Sequence, residues 1–142
     1  MARIILVTIG SLGDLHPFIA IGQGLTARGE QVLMAVPEDG VEKVRAAGLE
    51  AVSILPSYAS ICDRLGMGEE HLAARILADS SFVIDKILMP SLRSSTAALD
   101  RLAAGADVIA SSIFAFAGEI VAEKRGLPLA SDVLPRNSAS LS

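Results

Sequence analysis

The chain has 142 residues, 51% of them apolar and 20% charged, with a formal net charge of −4. That length carries one domain with a sizeable core, and the composition excludes a disordered chain. The acidic balance leaves no electrostatic footprint for nucleic acid, and the single cysteine, Cys62, excludes an intrachain disulfide and a cysteine-based metal site.

Met1-Ala2-Arg3 precedes a short apolar run broken by Gly10 and Asp14. The run is too short for the core of a signal peptide or for a membrane span, so a cytoplasmic location and no stable membrane insertion are expected. Ile4 to Val7 is largely β-branched, which fits a parallel strand covered on both faces. Gly10 and Gly13 bracket a tight turn, and Pro17 falls at a first helical position, where a missing N–H costs nothing. Ile19, Leu25, Ala20 and the small Gly22 to Gly24 side predict a helix lying close against the sheet, stopped at Arg28-Gly29.

Gln31 to Val36 is a second strand, Pro37 to Ala47 a helix on the spacing of Val41, Val44 and Ala47, and Glu50 to Leu55 a third strand. Pro56 to Gly68 has turn residues and weak periodicity, and predicts a loop with at most a short helix. From Glu69 the pattern is helical, through Leu72, Ile76, Leu77, Phe82, Val83, Ile87 and Leu88. Pro90 is expected to kink or divide it before a second segment over Ser91 to Ala104. Asp107 to Ser111 is a fourth strand, and Phe114 to Lys124 a helix with Phe116, Ile120 and Val121 inward. Leu127 to Val133 is a fifth strand, before a polar tail from Leu134.

This alternation predicts a doubly wound parallel sheet of about five strands, order 3-2-1-4-5, with helices on both faces and a helical insertion after the third strand. The switch point then falls between the first and fourth strands. It brings Gly10 to His16 beside Ser111 to Phe114, at the carboxyl edge where open α/β sheets bind ligands. The apolar residues of the insertion, Leu65, Met67, Phe82 and Ile87 among them, either cover the sheet or wall a pocket. A minority near residues 56–68 is expected to face a ligand.

The turn Gly10-Ser11-Leu12-Gly13-Asp14-Leu15-His16-Pro17, its small-residue helix and the second strand resemble the N-terminal half of GT-B glycosyltransferases. The likeness is strongest to bacterial antibiotic glycosyltransferases and sterol glucosyltransferases. It extends to Asp107–Asp132, with its Glu-Lys-Arg-Gly-Leu-Pro segment, and is weak over residues 56–104. The resemblance implies a Rossmann-like acceptor-binding domain, residues 1–142, truncated or excised from a partner domain that binds the donor. The isolated chain is then expected to be inactive. It implies hexose transfer with inversion from a UDP- or dTDP-sugar to a hydroxyl of a small apolar acceptor, with no metal or other cofactor.

Related enzymes with a Gly-His-x-x-Pro turn place histidine where this chain has Asp14, which implies that Asp14 is the general base. A carboxylate in reach of the acceptor hydroxyl suits that role chemically. Read from the residues alone, Asp14 serves equally as a helix cap. His16 orients Asp14, contacts the acceptor, or caps the helix before Pro17. Gly10, Ser11 and Gly13 approach a donor phosphate or simply form the turn. Ser111 and Ser112 contact the acceptor or cap the next helix. Glu69-Glu70 suits a helix N-terminus, His71 the surface, and Cys62 has no neighbouring base to activate it.

Two other classes stay open: a non-catalytic Rossmann-like binding module, and a nucleotide-sugar or dinucleotide enzyme of another type. The first strand ends in Thr8-Ile9-Gly10 and the third in Ser53-Ile54-Leu55-Pro56, without the acidic residues of a response regulator. The turn lacks the Gly-x-Gly-x-x-Gly spacing of a dinucleotide site and the Gly-Lys-Ser/Thr of a P-loop. A homodimer also stays open, since an exposed cleft face and a broken sheet edge favour self-association.

Overall fold

The computed structural model describes residues 2–9, 15–112 and 115–131. Five parallel strands form one sheet in the order β3-β2-β1-β4-β5: β1 (Arg3–Val7), β2 (Gln31–Pro37), β3 (Glu50–Leu55), β4 (Val108–Ser111) and β5 (Leu129–Ser131). Order and parallel sense agree with the expectation from sequence. β1 is central: Ile5 lies opposite Leu33 of β2 on one side and Ile109 of β4 on the other.

The pleat of β1 feeds two separate cores. Ile4 and Leu6 face helices α1 (Leu15–Ala27) and α2 (Val41–Ala46), packing with Phe18, Ile19, Met34 and Val44. Ile5 and Val7 face the opposite layer, with Ile54, Leu72, Phe82, Leu99 and Val121. Helices on both faces explain why the strands read as continuous apolar runs.

Several boundaries differ from the sequence expectation, each for a physical reason. α1 starts at Leu15, so Pro17 sits two residues inside. Proline is tolerated throughout a first turn, because those N–H groups have no partner in the helix. The face α1 buries is Phe18, Ile19 and Gly22, while Ala20 and Gly24 point away from the sheet. Gly22 permits the close approach: a Cβ there would meet Leu49 Cδ1 at 2.8 Å and Leu6 Cδ1 at 3.4 Å. The predicted helix over Pro37–Ala47 is split. Pro37 still pairs with Leu55 in the sheet, across an irregularity in the register. A 3₁₀ turn, Glu38–Gly40, then precedes α2.

Residues 56–68 contain a full helix, α3 (Tyr58–Leu65). Ser57 Oγ accepts the Ser60 N–H at 3.1 Å, and Gly66, at φ 68°, ends the helix in the left-handed region. The long helical run breaks at Asp79, not at Pro90. Helix α4 (Glu69–Ala78) stops where Asp79 turns extended, at φ −147° and ψ 101°. The Asp79 carboxylate then caps α5 (Ser80–Phe82), accepting from the Ser81 and Phe82 N–H groups at 3.0 and 3.3 Å. A π-helical segment, Val83–Leu88, carries the chain without interruption into α6 (Met89–Leu102). Pro90 cannot donate to the Lys86 carbonyl four residues back, and Arg64 Nη2 supplies the missing donor. The wider turn and this borrowed hydrogen bond accommodate the proline within a continuous helical run.

In α7 (Phe116–Arg125) the buried face is Ala117, Gly118, Val121 and Ala122. Ile120, expected inward, is 40% exposed. β5 begins two residues later than expected, and the end of the expected strand and the polar tail lie outside the described residues. Among the described residues, no helix is long and apolar enough to cross a membrane.

Two contacts join the last helices to the rest of the fold. Asp100 on α6 accepts from Lys124 Nζ at 3.0 Å and from Arg125 Nε at 2.8 Å, at the end of α7. These hydrogen bonds hold the Asp100 carboxyl below its ordinary pKa. Its contribution to stability is therefore present above the usual carboxylate range and fades as pH falls through the lowered value. Asp100→Asn should lower the melting temperature at neutral pH. The gap from wild type should narrow as pH falls below the ordinary aspartate range in paired thermal melts.

Beneath α7, the fully buried Ser111 donates its hydroxyl to the Ala115 carbonyl at 3.1 Å. A Cβ on Gly118 would lie 2.1 Å from that hydroxyl oxygen and 3.2 Å from Ser111 Cβ. Gly118→Ala should cost about 1–3 kcal/mol in denaturant unfolding, as overpacking does. Adding Ser111→Ala should recover part of that loss.

Candidate functional site

The carboxyl ends of the strands meet at the switch point between β1 and β4. Past Val7, the chain stays locked between its neighbours. Thr8 N donates to the Ala35 carbonyl at 3.1 Å, and Ser112 N donates to the Val7 carbonyl at 2.9 Å. The chain thus leaves the sheet at Ile9 and returns at Leu15, the first residue of α1. Gly10, Ser11, Gly13 and Asp14, the residues singled out by the sequence motif, lie outside the described residues, between these two anchors.

Ile9 and Leu15 both line a cavity of about 430 Å³ at this edge. Its floor is formed by the ends of β2 and β3, with Pro37, Leu55 and Pro56. The insertion supplies the opposite walls: Tyr58 and Ile61 from α3, Ile76 and Leu77 from α4, and Val83, Ile87 and Leu88 from the π-helical segment. The volume falls in the range of sites for small organic ligands, roughly 300–1,000 Å³. The lining is mostly aliphatic. Its ionisable side chains are Asp39, Lys43 and Tyr58.

Two hydrogen bonds frame the cavity. The Asp39 carboxylate accepts from the backbone N–H of Tyr58, tying the 3₁₀ turn after β2 to the start of α3. The Tyr58 hydroxyl donates to the Glu69 carbonyl at 2.8 Å, tying α3 to the start of α4. Partial burial, with Cys62 and Glu69 close by, raises the Tyr58 pKa, so the phenol stays a proton donor at neutral pH. Burial also raises the Cys62 pKa, helped by Glu69 and Asp63, so the thiol stays protonated and unreactive.

The described members of the sequence-predicted set separate. His16 is exposed, inside the first turn of α1, and so does not occupy the cap position. It follows Leu15 in the chain but does not line the cavity. Ser111 faces inward, with its hydroxyl committed to Ala115 and its side chain against Gly118. Ser112 is buried, and its carbonyl accepts the Ala115 N–H at 3.1 Å at the approach to α7. His71 is exposed. Of the insertion residues named from sequence, Ile87 lines the cavity, whereas Phe82 is core and Leu65 and Met67 pack against it. Among the described residues, no group of three or more His, Cys, Asp or Glu side chains could hold a metal ion.

Part of residues 56–68 was expected to face a ligand, and Pro56, Tyr58 and Ile61 of that stretch line the cavity, whereas Leu15, Asp39 and Lys43 were not anticipated there. Ser57 and Gly66, eight helical residues apart, do carry cap and stop signals for α3. Nothing in the local pattern points Asp39 at Tyr58, since the two meet only through the sheet.

Comparison with known proteins bears on the whole chain. Residues 4–139 match the model of the glycosyltransferase family 28 N-terminal domain. The chain is 52% identical over 48 residues to the O-mycaminosyltylonolide 6-deoxyallosyltransferase of Streptomyces fradiae, covering 34% of this chain and 11% of that protein. It is 29% identical over 126 residues to the sterol 3-beta-glucosyltransferase of Komagataella phaffii, covering 89% of this chain and 10% of that protein. In fold it resembles the glycosyltransferase VinC, solved in complex with dTDP, at a TM-score of 0.66 and 21% identity, over 89% of this chain and 33% of that one. The chain thus spans about a tenth of the length of the two curated relatives and a third of the solved structure. A match over nearly every residue makes this chain a member of the glycosyltransferase family 28 N-terminal domain family.

Proposed function

We propose that this chain is the acceptor-binding half of an inverting glycosyltransferase, in which Asp14 takes the proton from the acceptor hydroxyl. The observation that carries the reading is the mostly aliphatic cavity at the strand ends, whose lining includes both anchors of the Gly10–Asp14 turn, Ile9 and Leu15. An apolar alcohol seated there would place its hydroxyl toward the turn. Asp14, which adjoins Leu15 in the chain, is the carboxylate this reading assigns as the base, and general base catalysis of this kind contributes about 10²–10⁴-fold in rate. His16, one residue beyond Leu15, would orient that carboxylate or contact the acceptor. Ser112 borders the same edge.

The donor is a hexose on UDP or dTDP. The dTDP complex of a structural neighbour supports the nucleotide class, and the sugar-transfer names of the relatives support the reaction. Gly10, Ser11 and Gly13 would offer backbone N–H groups to the leaving diphosphate, whose developing charge such donors stabilise. A second domain, corresponding to the length of the relatives that this chain does not cover, would hold the nucleotide. The proposal assigns no step to a metal.

In the two-domain enzyme, Asp14→Asn should lower kcat by about 10²–10⁴-fold, with the circular dichroism spectrum and acceptor affinity retained. Unchanged turnover would remove Asp14 from the mechanism. The 142-residue chain alone should bind an apolar alcohol and show no sugar transfer from UDP- or dTDP-glucose. Measurable transfer by this chain alone would contradict the division of labour.

A further inference from the structure

Tyr58 is held at both ends across the mouth of the cavity. Its backbone N–H is fixed by Asp39 at the end of β2, and its hydroxyl by the Glu69 carbonyl at the first residue of α4. Its side chain lies on the cavity wall between these two ties. α4 packs along its length against its chain neighbours α3 and α5, and its Leu72 and Ile76 join the core on that face of the sheet. Its ends adjoin two changes of backbone direction: Gly66, at φ 68°, and the extended Asp79. Two of its side chains, Leu72 and Ile76, are buried. Leu77 lines the cavity while remaining 79% exposed, as expected of an apolar side chain on an open rim.

One Asp39 oxygen and the Tyr58 hydroxyl proton are committed to these ties, Lys43 is the remaining ionisable lining residue, and the rest of the lining is largely aliphatic. A ligand body here meets an aromatic ring on one side and aliphatic side chains on the other. A flat face packs against a ring with the most contact, and few buried polar groups of a ligand would find partners.

We infer that Tyr58 is a specificity-determining residue of this cavity: by tying α4 to α3 and the end of β2, it sets the cavity width and selects a rigid, flat, apolar alcohol over a flexible one. This rests on the reading of the cavity as the acceptor site. The phenol, protonated at neutral pH, keeps the tie intact under ordinary conditions. Removing the hydroxyl alone keeps the ring and frees α4 to move outward, which admits flexible bodies and loosens the grip on flat ones.

The test uses the 142-residue chain and two apolar alcohols. Dehydroergosterol, a rigid fluorescent sterol, is titrated directly, and farnesol, a flexible chain, is measured by displacing it. Wild type should prefer the sterol. In Tyr58→Phe the ratio of the two dissociation constants should fall by about fivefold, the factor that one net hydrogen bond of about 1 kcal/mol provides. Asp39→Ala, which frees the other tie, should shift the ratio in the same direction. Amide exchange in residues 69–78 should quicken in Tyr58→Phe. A purely structural role would weaken both ligands alike and leave the ratio where it was. An unchanged ratio in both variants, with wild type binding the sterol, overturns the role of Tyr58 and leaves the acceptor reading standing. A wild-type chain that binds neither alcohol overturns the acceptor reading and this inference with it.

Discussion

The structure depends on a central strand with both edges and both faces in use. β1 pairs along its length with β2 and β4, and its alternate residues enter two different cores. A one-residue slip would exchange Ile4 and Leu6 with Ile5 and Val7, and would present each core with the wrong side chains. That constraint fixes where the strand must end. The Thr8 and Ser112 backbone bonds carry it one step further, so the glycine-bearing turn departs from one defined point at the switch between β1 and β4. In open α/β sheets this is where the strand order reverses and a crevice opens.

The cavity is built on that edge by the segment least like a regular crossover. Helices α3 and α4 and the π-helical segment lean over the ends of β2 and β3, and each owes its place to a polar device. Ser57 and Gly66 bound α3, and Asp79 ends one helix and caps the next. Arg64 answers the carbonyl that Pro90 leaves without a donor. The π turn matters to the lining, because its wider winding brings Val83, Ile87 and Leu88 to a common side. Such turns recur at functional sites, since they re-aim side chains without breaking a helix.

The chemistry and the recognition are carried by different kinds of segment. The proposed base belongs to a short turn with a strong local signature, and the cavity belongs to an insertion with almost none. Family membership rests on the whole chain, whereas the cavity is lined mostly by apolar side chains scattered from Ile9 to Leu88. Such walls can change without moving the sheet edge.

Strand identity, parallel sense, strand order and the Gly10–Asp14 motif were legible in the sequence, because each follows from a local period or a short run of residue types. β3 was read to the residue, and the apolar run of β1 marked a strand covered on both faces. The fate of Ser111 was not legible: a serine after a strand looks like a cap or a contact. Only the approach of Gly118 shows that the hydroxyl is enclosed and given to Ala115. The unbroken passage through Pro90 likewise depended on a distant arginine. The cavity itself was decided by tertiary structure alone. Asp39, Tyr58 and Glu69 are far apart in sequence and meet because the sheet brings the end of β2 under α3 and α4, a convergence that no local pattern encodes.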